Sequence, residues 1–183
     1  RVSGGWESFQ PFETVPNLDW SDPNLQQLDL DGDGQADVLV VKDDYFIWYP
    51  SRGCEGHGPG RMLHRPTNEH EGPSVLFADG TGTIQLADMS GDGRQDIVRI
   101  ENGAVHYWPN LGYGRFGRRV TMDGSPFFAA DAEFQPAYVR LGDFDGSGTT
   151  DILYVDSRGA RAWLNRSGTG FSCIAPLRRR PAW

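Results

Sequence analysis

Asp29-Leu30-Asp31-Gly32-Asp33-Gly34-Gln35-Ala36-Asp37 decides how the rest of this chain is read. The pattern returns as Asp88-Met89-Ser90-Gly91-Asp92-Gly93-Arg94-Gln95-Asp96, and again as Asp143-Phe144-Asp145-Gly146-Ser147-Gly148-Thr149-Thr150-Asp151. In each copy oxygen-bearing side chains stand at positions 1, 3, 5 and 9, with glycine at 4 and 6. Alternate spacing turns the oxygens of a coiled loop inward, and the glycines permit the backbone angles that coiling demands. Hard oxygen donors without neighbouring cysteine or histidine suit Ca²⁺ rather than zinc or copper. By analogy with the EF-hand, side chains at 1, 3 and 5, a backbone carbonyl at 7 and a carboxylate at 9 form the shell. The EF-hand closes at position 12 between helices. Here the closing acid comes at 9 and leads into Val38-Leu39-Val40-Val41, Ile97-Val98-Arg99-Ile100 or Ile152-Leu153-Tyr154-Val155, so the loops sit between strands.

A single Asp-Gly segment reads equally well as a hairpin turn. Three copies in register do not, because clustered carboxylates repel in a way that a turn does not need and a divalent ion removes. About three Ca²⁺ ions are expected. Loop 1 is the strongest candidate, with four carboxylates; Ser90 and Ser147 each replace an acid in loops 2 and 3.

The repeat extends beyond the loop. Leading aspartates lie 59 and 55 residues apart, and an aromatic follows each after twenty residues: Tyr49, Trp108 and Trp163. Glycine-rich turns come next, and two of them lead into Phe116 and Phe171. The pattern predicts strands at about 25–30, 37–42 and 45–49, with at most one short strand near 61–64 in a long loop over 50–74. It predicts further strands ending at 87, at 96–101 and 104–108 around an Asn102-Gly103 hairpin, and an outer strand opening near Phe116. A third set covers 138–142, 151–155 and 160–164, with an outer strand opening at Phe171. No segment carries a 3.6-residue apolar period, so helix is expected to be nearly absent. A meander of four short strands cannot bury both faces, and neighbouring meanders must stack, with the recurrent Trp and Tyr between them. The fold class is therefore all-β: a partial β-propeller of about three four-stranded blades with Ca²⁺-binding loops between strands. The repeats divide the chain at about 5–56, 57–112 and 113–168, with an outer-strand tail at 169–183 and an opening segment, Trp6 to Phe12, that resembles an outer strand.

Charge and composition narrow the function. The chain of 183 residues has a formal charge of −8, and its three loops hold ten aspartates. Three bound Ca²⁺ ions would leave about −2, so the acidity is mostly ligand and argues against nucleic acid. No apolar run has membrane-spanning length and no signal peptide is visible, while Arg1 at the first position reads as a processed or excised piece. Cys54 and Cys173 have neither a disulfide framework nor metal-ligand spacing. His106 lies in an apolar strand and reads as a satisfied structural residue. No Ser/His/Asp, Cys/His or phosphate-binding glycine motif is present, so no enzyme is expected.

The loop-strand-aromatic unit resembles the FG-GAP/VCBS repeat, the Ca²⁺-binding blade of integrin-α-like propellers. That resemblance implies Asp29, Asp31, Asp33, the Gln35 carbonyl and Asp37 as one ligand set. It implies Asp88, Ser90, Asp92, the Arg94 carbonyl and Asp96 as the second, and Asp143, Asp145, Ser147, the Thr149 carbonyl and Asp151 as the third. It also places the loop between the first two strands of each blade.

Further stretches carry a narrower likeness: Leu18-Asp19-Trp20-Ser21-Asp22-Pro23-Asn24, Phe77-Ala78-Asp79-Gly80, Leu86 to Gly93, and Tyr107-Trp108-Pro109-Asn110-Leu111-Gly112-Tyr113-Gly114-Arg115-Phe116-Gly117. They resemble the B component of bacterial insecticidal Tc toxin complexes, a region shared with SpvB-type virulence proteins. The resemblance implies a secreted, non-catalytic propeller that docks the pore-forming A component of a toxin complex. It implies other toxin subunits or remaining blades as partners and no membrane insertion by this chain. The shell that encloses the toxic enzyme in that family has no counterpart here. A free-standing Ca²⁺-dependent binding module, lectin-like or protein-binding, is the alternative. Three blades fall short of a closed ring, so a homo-oligomer that completes one is a further expectation.

Overall fold

The structure, a computed structural model, describes residues 8–79, 81 and 83–173. The first sheet contains β1 (Leu25–Leu28), β2 (Asp37–Val41), β3 (Tyr45–Tyr49) and β4 (Arg61–His64). The second contains β5 (Ile84–Ala87), β6 (Asp96–Glu101), β7 (Ala104–Trp108) and β8 (Val120–Thr121). The third contains β9 (Val139–Gly142), β10 (Asp151–Asp156), β11 (Gly159–Asn165) and β12 (Phe171–Cys173). Every sheet is an antiparallel meander in chain order. Helix among the described residues is limited to 3₁₀ turns at Gly53–Glu55, Asp131–Glu133 and Pro136–Tyr138. None of these could cross a membrane. This is the expected all-β partial propeller of three four-stranded blades.

Alternation sets the strands. In β6 and β7, Val98 and Ile100 on one face pair with Tyr107 and Val105, while Ile97 on the other pairs with Trp108. The hairpin between them closes at Glu101 opposite Ala104, with Gly103 at φ 87° supplying the conformation that Asn-Gly turns require. The twenty-residue offset is a register. Val38, Ile97 and Ile152, each directly after the closing aspartate, pair with Tyr49, Trp108 and Trp163.

Hydrogen bonding sets the blades out of phase with the sequence repeats. Arg61–His64 pairs with β3, and Val120–Thr121 pairs with β7, so each outer strand lies beyond the repeat boundary drawn from the loops. Phe116 does not open an outer strand. It makes a single bridge to Asn110 across the glycine-rich turn at 112–114, and strand pairing begins only at Val120, opposite Tyr107. Phe171 does open β12, as expected. Within the opening segment Trp6 lies outside the described residues, and Phe9 and Phe12 are exposed and belong to no strand. Residues 174–183 of the tail also lie outside the described residues.

The core sits between the sheets. Val98, Ile100 and Tyr107 of sheet 2 meet Ile152, Tyr154 and Trp163 of sheet 3, with Phe128 from the connecting segment inserted among them. Leu39, Val41, Phe46 and Trp48 of sheet 1 meet Leu86 of sheet 2 and Phe116 of the segment between β7 and β8. Phe128 stacks on Tyr154 at 5.1 Å and meets Trp163 edge-on at 5.3 Å, the geometries that aromatic quadrupoles favour. The long connection after β4 is an ordered strap. Arg65 is buried and donates to the carbonyls of Lys42, Asp43 and Pro73, and Glu69 holds Arg99 through two 2.9 Å bonds. Trp108 Nε1–H donates to the Glu69 carbonyl at 2.7 Å. His106 donates to or accepts from Thr121 Oγ1, the satisfied structural role expected of it.

Candidate functional site

The three acidic loops occupy equivalent places, each joining the first two strands of its sheet. Glycines at positions 4 and 6 all adopt left-handed angles, with φ of 86° and 84° in loop 1, 81° and 86° in loop 2, and 77° and 87° in loop 3. Such angles strain other residues, which explains why both positions are glycine in every copy.

The aspartate at position 1 caps its loop from inside. Asp29 Oδ1 accepts the N–H groups of Gly32 and Asp33, and Oδ2 accepts that of Gly34. Asp88 and Asp143 repeat the arrangement. The N–H of Gly148, with those of Gly146 and Ser147, holds the Asp143 carboxyl below the usual carboxylate range.

The aspartate at position 9 is buried in all three loops. One oxygen of Asp37 accepts Leu30 N–H at 3.0 Å and the other accepts Ser51 N–H at 2.6 Å. Asp96 accepts Met89 N–H at 3.0 Å and Asn110 N–H at 2.8 Å. Asp151 accepts Phe144 and Asn165 N–H, both at 2.8 Å. Burial nevertheless pushes Asp37 up, and it pushes Asp96 up to about 6 with help from the nearby charges of Asp92 and Asp88.

In loop 1, Asp29, Asp31 and Asp37 bring carboxylate oxygens within 4.8 Å of one another, and in loop 3 Asp143, Asp145 and Asp151 do the same. Such a set of hard oxygens fits Ca²⁺. Asp88, Asp92 and Asp96 do not form such a triad, since Ser90 stands at position 3. The position-5 side chain turns instead toward position 7. Asp33 accepts the backbone N–H of Gln35 at 2.8 Å and its Nε2–H at 3.2 Å. Asp92 accepts the backbone N–H of Arg94 and, at 2.6 Å, its guanidinium. Burial works against the charge on Asp92, yet the Arg94 bonds hold it below the usual range. Ser147 Oγ accepts Thr149 N–H at 3.4 Å and shares a hydrogen bond with Thr149 Oγ1.

Two residues that loop spacing alone does not reveal join the loops to neighbouring blades. Asn110 Nδ2–H donates to the Asp29 carbonyl of the preceding loop at 3.2 Å. Asn165 Nδ2–H donates to the Met89 carbonyl at 2.9 Å, and Thr150 N–H donates to the Asp88 carbonyl at 2.8 Å. Both asparagines stand 22 residues after their own leading aspartate, a fixed offset that could have identified them; Ser51 holds that place in sheet 1.

Comparison with known proteins agrees with this geometry. Residues 29–98 and 88–154 match the FG-GAP-like repeat model. A chain of the Photorhabdus luminescens Tc holotoxin pore is 30% identical over 97% of this chain, with a TM-score of 0.81. A chain of a TcdB2-TccC3 structure without the hypervariable C-terminal region is 30% identical over 99% of this chain, with a TM-score of 0.50. This chain spans 8% of the length of each. An Agrocybe aegerita lectin that recognises non-reducing terminal N-acetylglucosamine is 22% identical over 84% of this chain and 38% of its own, with a TM-score of 0.58, which shows the fold alone. No curated protein matches the sequence.

Proposed function

The chain belongs to the FG-GAP-like repeat family, and from that premise we propose that it is a non-catalytic, Ca²⁺-stabilised propeller segment of a toxin-complex B component. Its role is structural and docking, toward the pore-forming component of a secreted complex. The observation that carries this reading is the likeness to the Tc holotoxin chain, which runs through 97% of the residues and includes both strands and loops.

Loop 1 would hold its ion through Asp29, Asp31, Asp33, the Gln35 carbonyl and Asp37. Loop 3 would use Asp143, Asp145, Ser147, the Thr149 carbonyl and Asp151. Loop 2, with Asp88, Ser90, Asp92, the Arg94 carbonyl and Asp96, is the weakest of the three, because Arg94 must leave Asp92 before that acid can serve. A bound Ca²⁺ supplies the positive charge that offsets the clustered carboxylates. The protein's own contribution is to hold those carboxylates in place through the backbone N–H groups of the same loops. No acid in the loops is left over for general acid or base work: each caps its loop, staples a strand, faces position 7 or, as Asp31 and Asp145, accepts the N–H of position 5.

A lectin-like role finds less support. The cavity of about 340 Å³ between sheets 1 and 2 is lined mainly by apolar residues, among them Phe46, Leu63, Pro66, Pro73 and Phe116, with His64 and Arg115 as the polar side chains able to bond sugar hydroxyls. The test is surface binding of the immobilised chain to the pore-forming component of a Tc toxin, in millimolar Ca²⁺ and in chelator, beside a glycan array. Saturable binding in Ca²⁺ supports the proposal. Glycan binding with no affinity for the toxin component would replace it with the lectin reading.

A further inference from the structure

The cavity between sheets 1 and 2 has fixed walls. On one side is the strap after β4. The buried Arg65 donates to the carbonyls of Lys42 and Asp43 at 2.7 and 2.6 Å and to that of Pro73 at 3.4 Å, so Pro66 and Pro73 are held where they line the cavity. On the other side is the turn after β7. Its Leu111 N–H donates to the Arg115 carbonyl at 2.8 Å, Arg115 N–H to the Gly112 carbonyl at 3.1 Å, and Gly117 N–H to the Pro109 carbonyl at 2.7 Å. Gly114, at φ 71°, brings this turn against Leu63 of β4, and a Cβ there would run into Leu63 Cδ1. The remaining lining is aromatic: Phe46 is buried and meets Phe116 edge-on, with centroids 5.9 Å apart.

Two lining residues break the apolar pattern, and both are basic, His64 at the end of β4 and Arg115. The Arg115 guanidinium has no hydrogen bond or ion pair among the described residues, whereas Arg65, Arg99 and Arg119 are held by carbonyls or by Glu69. Among the described residues no carboxylate and no ligand of the acidic loops lines the cavity. A preformed apolar cavity with one or two polar groups has the make-up of a small-molecule site. An unpaired guanidinium selects an anionic head, and its planar fork matches a carboxylate through two parallel bonds. A dianionic head such as phosphate would leave charge unpaired among apolar side chains, at a cost that one guanidinium does not return. The volume of about 340 Å³ has room for about eleven non-hydrogen atoms, at the ~30 Å³ that a water takes in the liquid.

We propose that this cavity binds a small aryl monocarboxylate, with the carboxylate on Arg115, His64 beside it, and the ring between the prolines of the strap and the Phe46–Phe116 pair. An aromatic ring adds edge-to-face contact with that pair to the burial of its own surface. The site stands apart from the acidic loops and from the toxin-component reading, and holds whether or not that reading does.

The test is a titration of the full isotope-labelled chain, followed by the NMR shifts of its backbone amides. The probes are 4-phenylbutyrate, its neutral amide, and acetate. Half-saturation by 4-phenylbutyrate should fall at about 10⁻⁴ to 10⁻³ M for a ligand of this size, with the shifts concentrated at 63–66 and 111–116. The amide and acetate should each bind at least about tenfold more weakly, because one lacks the charge and the other the apolar body. Arg115→Gln should weaken 4-phenylbutyrate by about tenfold and leave the amide unchanged. The variant should fold normally, since the guanidinium has no partner in the fold to lose. No saturable shift below about 10 mM, equal binding of acid and amide, full affinity in Arg115→Gln, or shifts centred elsewhere would each overturn the proposal. The same titration in millimolar Ca²⁺ and in chelator should agree. Binding confined to Ca²⁺ would place the carboxylate on a loop ion and refute the cavity, while a Ca²⁺-dependent melting shift reports on the loops separately.

Discussion

Replacing Asn165 with alanine tests the blade junction most directly. The side chain is 5% exposed and makes three hydrogen bonds: Gly168 N–H to Oδ1 at 2.9 Å, and Nδ2–H to the carbonyls of Met89 at 2.9 Å and Thr150 at 3.1 Å. Alanine leaves all three partners behind in a junction too tight to hydrate freely. At about 1 kcal/mol for each bond, with more where a buried group stays unsatisfied, the loss is about 3 kcal/mol. For a domain of this size that corresponds to a melting temperature lower by roughly 6–12 °C. The assay is urea and thermal unfolding of the variant beside Ser51→Ala at the matching place in sheet 1. Ser51 Oγ bonds only Gly53 N–H and Gln35, the latter at 3.5 Å, so its loss should stay below about 1 kcal/mol. The urea midpoint should fall with an unchanged slope, because the same surface is exposed on unfolding. A loss for Asn165→Ala no larger than that for Ser51→Ala would refute the view that the asparagine carries the junction.

Three further outcomes are expected. With dissociation constants of about 10⁻⁴ to 10⁻³ M, 10 mM Ca²⁺ should add about 1.4–2.7 kcal/mol per filled loop. Melting should therefore rise over the chelated protein, Asp31→Ala should remove more of the rise than Ser90→Ala, and identical melts in Ca²⁺ and chelator would exclude binding. In chelated protein the raised value of Asp96, about 6, means that the fold holds a proton which the unfolded chain has released. Stability from this group is complete below about pH 4 and is lost as pH rises to about 6, an effect of about 1–3 kcal/mol that Asp96→Asn should remove from the pH profile. Gly168→Ala should cost more than Gly148→Ala: at Gly168 a Cβ would lie 2.7 Å from Tyr107 Oη and 3.2 Å from the Met89 carbonyl, whereas at Gly148 it meets open space. The second variant should lose only the left-handed strain of about 1–2 kcal/mol, and melts in the reverse order would contradict this.

Most of the fold was legible because its signals are local. The closing aspartate, the β-branched run after it and the aromatic twenty residues after the leading aspartate lie within one hairpin, and the register joins them directly. The outer strands were harder to read. β8 has two residues and β12 three, too few to show alternation, and β8 starts at Val120, four residues after the Phe116 bridge. The strap was read as a surface loop because its anchor is Arg65, a residue type that burial rarely selects unless, as here, backbone carbonyls surround it. Of the candidate ligands, spacing alone pointed to the acids at positions 1, 3 and 9, which cluster in loops 1 and 3. It could not show that Gln35 and Arg94 lay their side chains on the position-5 acids, since that depends on rotamers. The asparagines escaped notice because their partners are carbonyls 76 and 81 residues away, which no local pattern encodes.

The aspartate at position 9 ties the loop chemistry to the fold. Its two oxygens accept one N–H from position 2 of the loop and one from the end of the third strand, at Ser51, Asn110 or Asn165, so it sets the distance between the loop and the hairpin edge. Keeping it ionised in a buried place costs free energy, which is why Asp37 and Asp96 are shifted upward. A divalent cation in the loop offsets that cost without competing for the N–H bonds, since a carboxylate oxygen has more than one lone pair. Cation binding should therefore be felt as strand and junction stability and not only as loop order. The same reasoning accounts for where the copies differ. Serine replaces aspartate at position 3 in loop 2 and at position 5 in loop 3, where the side chain serves the loop alone. At position 9 all three copies retain aspartate, because a serine there has one oxygen and could not hold both strands.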